Sequence, residues 1–147
     1  MGMKKVFNNP ESGVQDEFIE FVNTNSAALA HGDVVVKDFS SDADAIIQGA
    51  VTTTSAYDPD ILGVVWDPQG YGVAVGARGT LMVKGLHQSV KVASATYNRG
   101  DQLVTDTAAA TVKVATAGGT VPGSRLGDIA KAYTAAATAA YVRIDIK

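Results

Sequence analysis

Along most of this chain, apolar and polar positions alternate with a period of two over short runs. Val90-Lys91-Val92, Val112-Lys113-Val114 and Val142-Arg143-Ile144-Asp145-Ile146 set apolar side chains on one side and charges on the other, the pattern of a strand with one wet face. Eight β-branched runs bounded by Gly, Asn, Asp or Pro predict strands: Asp33–Lys37, Leu62–Trp66, Gly72–Val75, Gly79–Lys84, Ser89–Val92, Gln102–Thr105, Thr111–Ala115 and Tyr141–Ile146. So many short strands in 147 residues indicate an all-β barrel or sandwich.

Two stretches escape the pattern. Gln15–Val22 suits helix spacing and strand alternation alike, so periodicity leaves it open. The segment Asp128–Ala140 is rich in Ala, a strong helix former, but its threonines and weak amphipathicity favour an irregular crossing between strands. Ser40–Asp44 and Ala117–Gly123 are the most loop-like segments, and neither is long or charged enough to separate domains. Residues 14–147 are therefore expected to form one β-rich domain. Residues 1–13 are polar, contain Asn8-Asn9-Pro10 and end at Ser12-Gly13, and are expected to form an extended N-terminal arm.

One segment is written twice. Ser26–Asp38 (SAALAHGDVVVKD) and Ser94–Asp106 (SATYNRGDQLVTD) match without gaps at six of thirteen positions. In both copies Gly-Asp precedes a predicted strand, which fits a tight turn with Gly at positive φ and the Asp side chain bonding nearby backbone N–H groups. A second landmark follows each copy, Leu62-Gly63 and then Leu126-Gly127. The implied unit of turn, strand, loop and strand, used twice, predicts a small pseudo-symmetric two-unit barrel or sandwich, because each unit alone leaves an apolar face uncovered.

Composition narrows the function. With 46% hydrophobic residues the chain can close a core unaided, and with no cysteine it has no disulfide, thiolate zinc site or cysteine nucleophile. A net charge of −3 lacks the surplus of Lys and Arg that dominates nucleic-acid affinity, so no nucleic-acid partner is expected. No apolar run approaches the roughly 20 residues that cross a bilayer, and the two lysines near the start lack an apolar stretch behind them; a soluble chain with no membrane partner is expected.

Catalytic and cofactor signatures are weak. His31 and His87 are the only histidines, and both read as solvated residues beside turns. Gly123-Ser124-Arg125-Leu126-Gly127 has the wrong spacing for a nucleophile elbow. Asp42, Asp44, Asp58 and Asp60 form two Asp-x-Asp pairs without the glycine and terminal glutamate of a calcium loop. Gly70, Gly72 and Gly76 miss the dinucleotide fingerprint, and Arg99-Gly100-Asp101, although an adhesion tripeptide, is accounted for by the repeat. Neither an enzyme nor a cofactor is expected. Trp66 and Tyr71 flank the turn Asp67-Pro68-Gln69-Gly70, as a core corner or as a contact patch.

The order of Ala30-His31-Gly32-Asp33, Leu62-Gly63-Val64-Val65, Gly79–Gly85, Arg99-Gly100-Asp101-Gln102-Leu103, Arg125-Leu126-Gly127 and Tyr141-Val142-Arg143-Ile144 resembles the capsid cement, or head decoration, proteins of tailed bacteriophages. The likeness runs from about Val22 to the end. It departs at Gly127-Asp128-Ile129-Ala130, where an acid replaces an apolar residue and a rebuilt edge of the second unit is expected. The resemblance implies a structural protein of the virion, made in the host cytoplasm and bound in many copies, as homotrimers, to the outside of a phage head. Its partner would be the major capsid protein. The candidate interface is the arm, chiefly Lys4, Lys5, Phe7, Asn8 and Asn9, together with Trp66 and Tyr71. The alternative is a non-catalytic ligand-binding or lipoyl-like carrier barrel, since Gly79–Gly85 resembles a carrier segment presenting its lysine, Lys84, on a hairpin tip, although no acid precedes it.

Overall fold

The computed structural model describes residues 5–9, 14–40, 49–52, 55–115, 125–130 and 139–146. Every regular element among them is a strand: β1 (Lys5–Asn9), β2 (Val14–Asn23), β3 (Val34–Lys37), β4 (Gly49–Thr52), β5 (Ile61–Val65), β6 (Arg78–Ala95), β7 (Gln102–Thr105), β8 (Val112–Val114), β9 (Arg125–Ile129) and β10 (Ala139–Ile146). They make one all-β mixed sheet that closes on itself twice. The first ring runs β2-β4-β3-β5-β6 and returns to β2; the second runs β6-β8-β7-β9-β10 and returns to β6.

The two rings have the same plan. In each, the first strand in chain order pairs parallel with the third, β2 with β4 and β6 with β8. All their other pairings are antiparallel. Duplication of the sequence thus corresponds to duplication of a five-stranded barrel, with β6 serving as the last strand of one copy and the first of the other.

Matching atoms carry the repeat. The Asp33 N–H donates to the Ala30 carbonyl at 3.0 Å, and its carboxylate accepts from the Ala30 N–H at 2.9 Å. Asp101 makes the same pair of bonds with Asn98, at 3.1 and 2.8 Å. Gly32 and Gly100 take φ of 92° and 85°, which a side chain would resist. The last residue of each copy also matches: Asp38 N–H donates to Gly49 O and Asp106 N–H to Thr111 O. At the second landmark, a Cβ on Gly63 or Gly127 would collide with the carbonyl of the next strand, Met82 or Asp145 respectively. Both glycines allow that close strand approach.

Packing follows from closure. Phe21, Val35, Ala50, Val65 and Leu81, one from each strand, fill the first ring, and Leu29 and Val73 cover its end. The second ring is filled by Val90, Val92, Leu103, Val112, Leu126, Val142, Ile144 and Ile146. Phe18, Met82, Val64 and Val34 are lateral neighbours across β2, β6, β5 and β3, and this outer row of the first ring joins the second ring's core. Both faces of β3 are therefore covered, which is why Val34, Val35 and Val36 are consecutive and all buried. Each such buried aliphatic contributes about 1.5–3 kcal/mol.

Several expectations need correction. Gly72–Val75 is not a strand; only Val73 bridges, to Leu29, because Gly72 and Gly76 at φ 77° and 79° turn the chain away on either side. Gly79–Lys84 and Ser89–Val92 are parts of one 18-residue strand, β6. It changes partners near Gly85, whose φ of 115° and close approach to Asp16 accommodate the crossing from one ring to the other. Gln15–Val22 is strand. Asp128 lies in β9, paired with both Gln102 and Asp145, so the acid is accommodated without rebuilding the pairing. Residues 131–138, in the proposed irregular crossing, lie outside the described residues, as do Asp42, Asp44 and residues 117–123.

Candidate functional site

Residues 5–9 of the arm are extended and lie along β2, with Lys5 opposite Phe18, Phe7 opposite Asp16, Asn8 opposite Gln15 and Asn9 opposite Val14. Lys4 lies outside the described residues. The same edge of β2 that receives β1 receives β4 further along, at Val22 and Asn23, while β6 occupies the other edge. β1 is consequently a strand appended to a closed ring, and it forms one end of the strand order, with its outer edge left without a strand among the described residues.

Trp66 and Tyr71 have different surroundings. Tyr71 is 84% exposed at the tip of the loop after β5. Trp66 is half-buried against the core and sits among three other rings: Phe18 at 5.4 Å, His31 at 5.3 Å and His87 at 5.4 Å between centroids. The two histidine rings stack on each other at 4.6 Å, with their planes 30° apart. Four elements meet in this cluster: β2, the turn before β3, the end of β5 and the middle of β6.

Hydrogen bonds fix the imidazoles as neutral tautomers. The Ser89 N–H donates to His87 Nδ1 at 3.1 Å, leaving the proton on Nε2, 3.1 Å from the Val65 carbonyl that accepts it. Asp67 N–H donates to His31 Nδ1 at 2.9 Å. The Asp67 carboxylate in turn accepts from the Gly72 N–H at 2.6 Å, and its carbonyl from the Gly70 N–H, so the loop bearing Tyr71 is held through His31. Burial pushes His87 down to about 4, against the favourable Val65 carbonyl; His31 adds to the lowering. Burial also lowers His31, and the nearby Asp67 carboxylate opposes it. The expectation of a solvated turn residue fails for His87, which is fully buried within β6, whereas His31 does lie in the turn before Gly32, half-buried on top of His87. Nothing local in the sequence signals this contact; 56 residues separate the two side chains.

The remaining candidates resolve individually. Lys84 stands within β6 opposite Glu17, not on a hairpin tip. The Asp101 carboxylate of Arg99-Gly100-Asp101 is engaged in its own turn. Asp58 accepts from the Asp60 N–H at 2.9 Å, an Asx turn, and no group of three or more potential ligands is placed to hold a metal among the described residues. Neither the known protein-family models nor the curated proteins include a match to this chain.

Proposed function

We propose that this protein is a non-enzymatic capsid decoration protein, acting on the outer surface of a phage head and binding the major capsid protein in many copies. The observation that carries the reading is the pairing of a duplicated, doubly closed barrel with one appended open-edged strand, β1. Closure removes the edges that would drive indiscriminate association, and the outer edge of β1, which has no strand beside it among the described residues, supplies backbone donors and acceptors suited to strand addition on a neighbour. Each contact can be modest, because a repeating capsid lattice and self-association into trimers multiply the effect of individual contacts. Tyr71, exposed on its braced loop, is the second candidate contact. A carrier function is less well supported, since Lys84 on a paired strand is poorly placed to swing between active sites.

Co-sedimentation with expanded empty heads of the phage that carries the gene tests the proposal, using the full chain and a chain lacking residues 2–13. Saturable binding in fixed ratio to capsid protein, weakened by the truncation, is expected. A full chain that stays in the supernatant at every concentration overturns the capsid role, and undiminished binding by the truncated chain removes the arm from it.

A further inference from the structure

We propose that His31 and His87 form an acid-operated latch that controls the loop carrying Tyr71. The loop from Asp67 to Gly72 is tied to the barrel by the Asp67 N–H bond to His31 Nδ1, and His31 is seated on His87, which β6 and β5 hold from below. A proton on His31 Nδ1 would place two donors face to face, so the bond to Asp67 N–H must break. A proton on His87 Nδ1 would likewise oppose the Ser89 N–H, and charge on both stacked rings would repel at 4.6 Å. The anion that favours the charged form of His31 is the Asp67 carboxylate. Once it turns to pair with the His31 imidazolium it leaves the Gly72 N–H, and the loop loses both of its side-chain ties.

Charged groups lie on every surrounding element, and among them the Asp67 carboxylate raises the proton affinity of His31. Asp67 follows β5, Asp33 lies in the turn beside His31 and contacts Lys91 at 4.0 Å, Asp16 and Glu17 lie on β2, Lys84 and Lys91 on β6, and Arg143 and Asp145 on β10. The lowered proton affinity of both histidines places the release below the ordinary histidine range. The second copy of the turn has Arg99 where the first has His31, which makes it an internal control. This inference concerns the loop itself and does not depend on the capsid reading.

Amide hydrogen exchange on the full chain from pH 7.5 to 4, corrected for intrinsic rates, tests it. Protection at Asp67 and Gly72 should fall about tenfold, as losing a bond worth about 1.4 kcal/mol would give, while the amides of the Asn98–Asp101 turn, which open locally, hold. His31→Asn, whose Oδ1 can accept from Asp67 N–H without titrating, should abolish the fall. His87→Gln should shift it, and because His87 is buried, His31→Asn stands alone if His87→Gln does not fold. Unchanged protection in the wild type down to pH 4, or an equal fall in His31→Asn, overturns the latch.

Discussion

Replacing Gly32 and Gly100 separately by alanine compares one turn in two settings. Their φ angles, 92° and 85°, differ little, so the cost of holding an L-residue in the left-handed region is nearly common to both, about 1–2 kcal/mol, offset by about 0.4–1 kcal/mol from a less flexible unfolded chain. Gly100→Ala, with no atom within 4 Å of the added Cβ, should therefore lose only about 1 kcal/mol. At Gly32 the added Cβ would lie well inside 3.0 Å of the Ser89 carbonyl oxygen, which belongs to the shared strand β6 and cannot rotate away as a side chain would. Relief requires lifting the turn, which endangers Gly32 N–H to Val65 O at 3.0 Å, Lys91 N–H to Gly32 O at 2.9 Å and the His31 stack on His87. With each buried backbone bond worth about 1 kcal/mol, Gly32→Ala should lose about 3 kcal/mol or more. Urea unfolding of both variants reads the difference, with unchanged m confirming that the midpoint shift is a stability change. Equal losses would refute the reasoning, showing that the turn does not depend on its seat against β6.

Three further outcomes are expected. Because His87 holds a proton less readily folded than unfolded, its contribution is fully present above pH 6.5 and is lost as pH falls towards about 4, amounting to about 3 kcal/mol; chemical denaturation at stepped pH should show this loss, and His87→Gln should flatten it. Tyr71→Ser should leave the unfolding midpoint within about 0.5 kcal/mol of wild type, since the ring is 84% exposed, while weakening head binding in the sedimentation assay. Deleting residues 2–9 removes β1 but leaves every pairing of both rings, so the chain should retain its β-sheet circular dichroism and cooperative unfolding; loss of the folded state would show that β1 is integral to the first ring.

Much of the fold was legible in residue order because local chemistry encodes it. The duplicated Gly-Asp turn and the strand that follows it occupy the expected positions, Val34–Lys37 and Gln102–Thr105, since positive φ at Gly and an Asp carboxylate beside free N–H groups define that turn without outside help. Alternation likewise identified Tyr141–Ile146 and Val112–Val114. Gly49–Thr52 and Arg125–Ile129 went unrecognised because neither alternates: β4 begins with two consecutive buried residues, Gly49 and Ala50, and β9 has Leu126 and Gly127 buried in succession beside Asp128.

The sequence by itself therefore determined an all-β chain built from two like units, because repeated turns and alternating runs are properties of neighbouring residues. Only the tertiary structure decided that the units share one strand. Gly85 permits this by letting β6 continue past Asp16 when two separate runs were expected, and a bend between extended segments has no periodic signature. It also decided the candidate site. Closure of the first ring brings His31 onto His87 and seats Trp66 on its edge, a contact between residues far apart in the chain, of which the two histidines read locally only as residues beside turns.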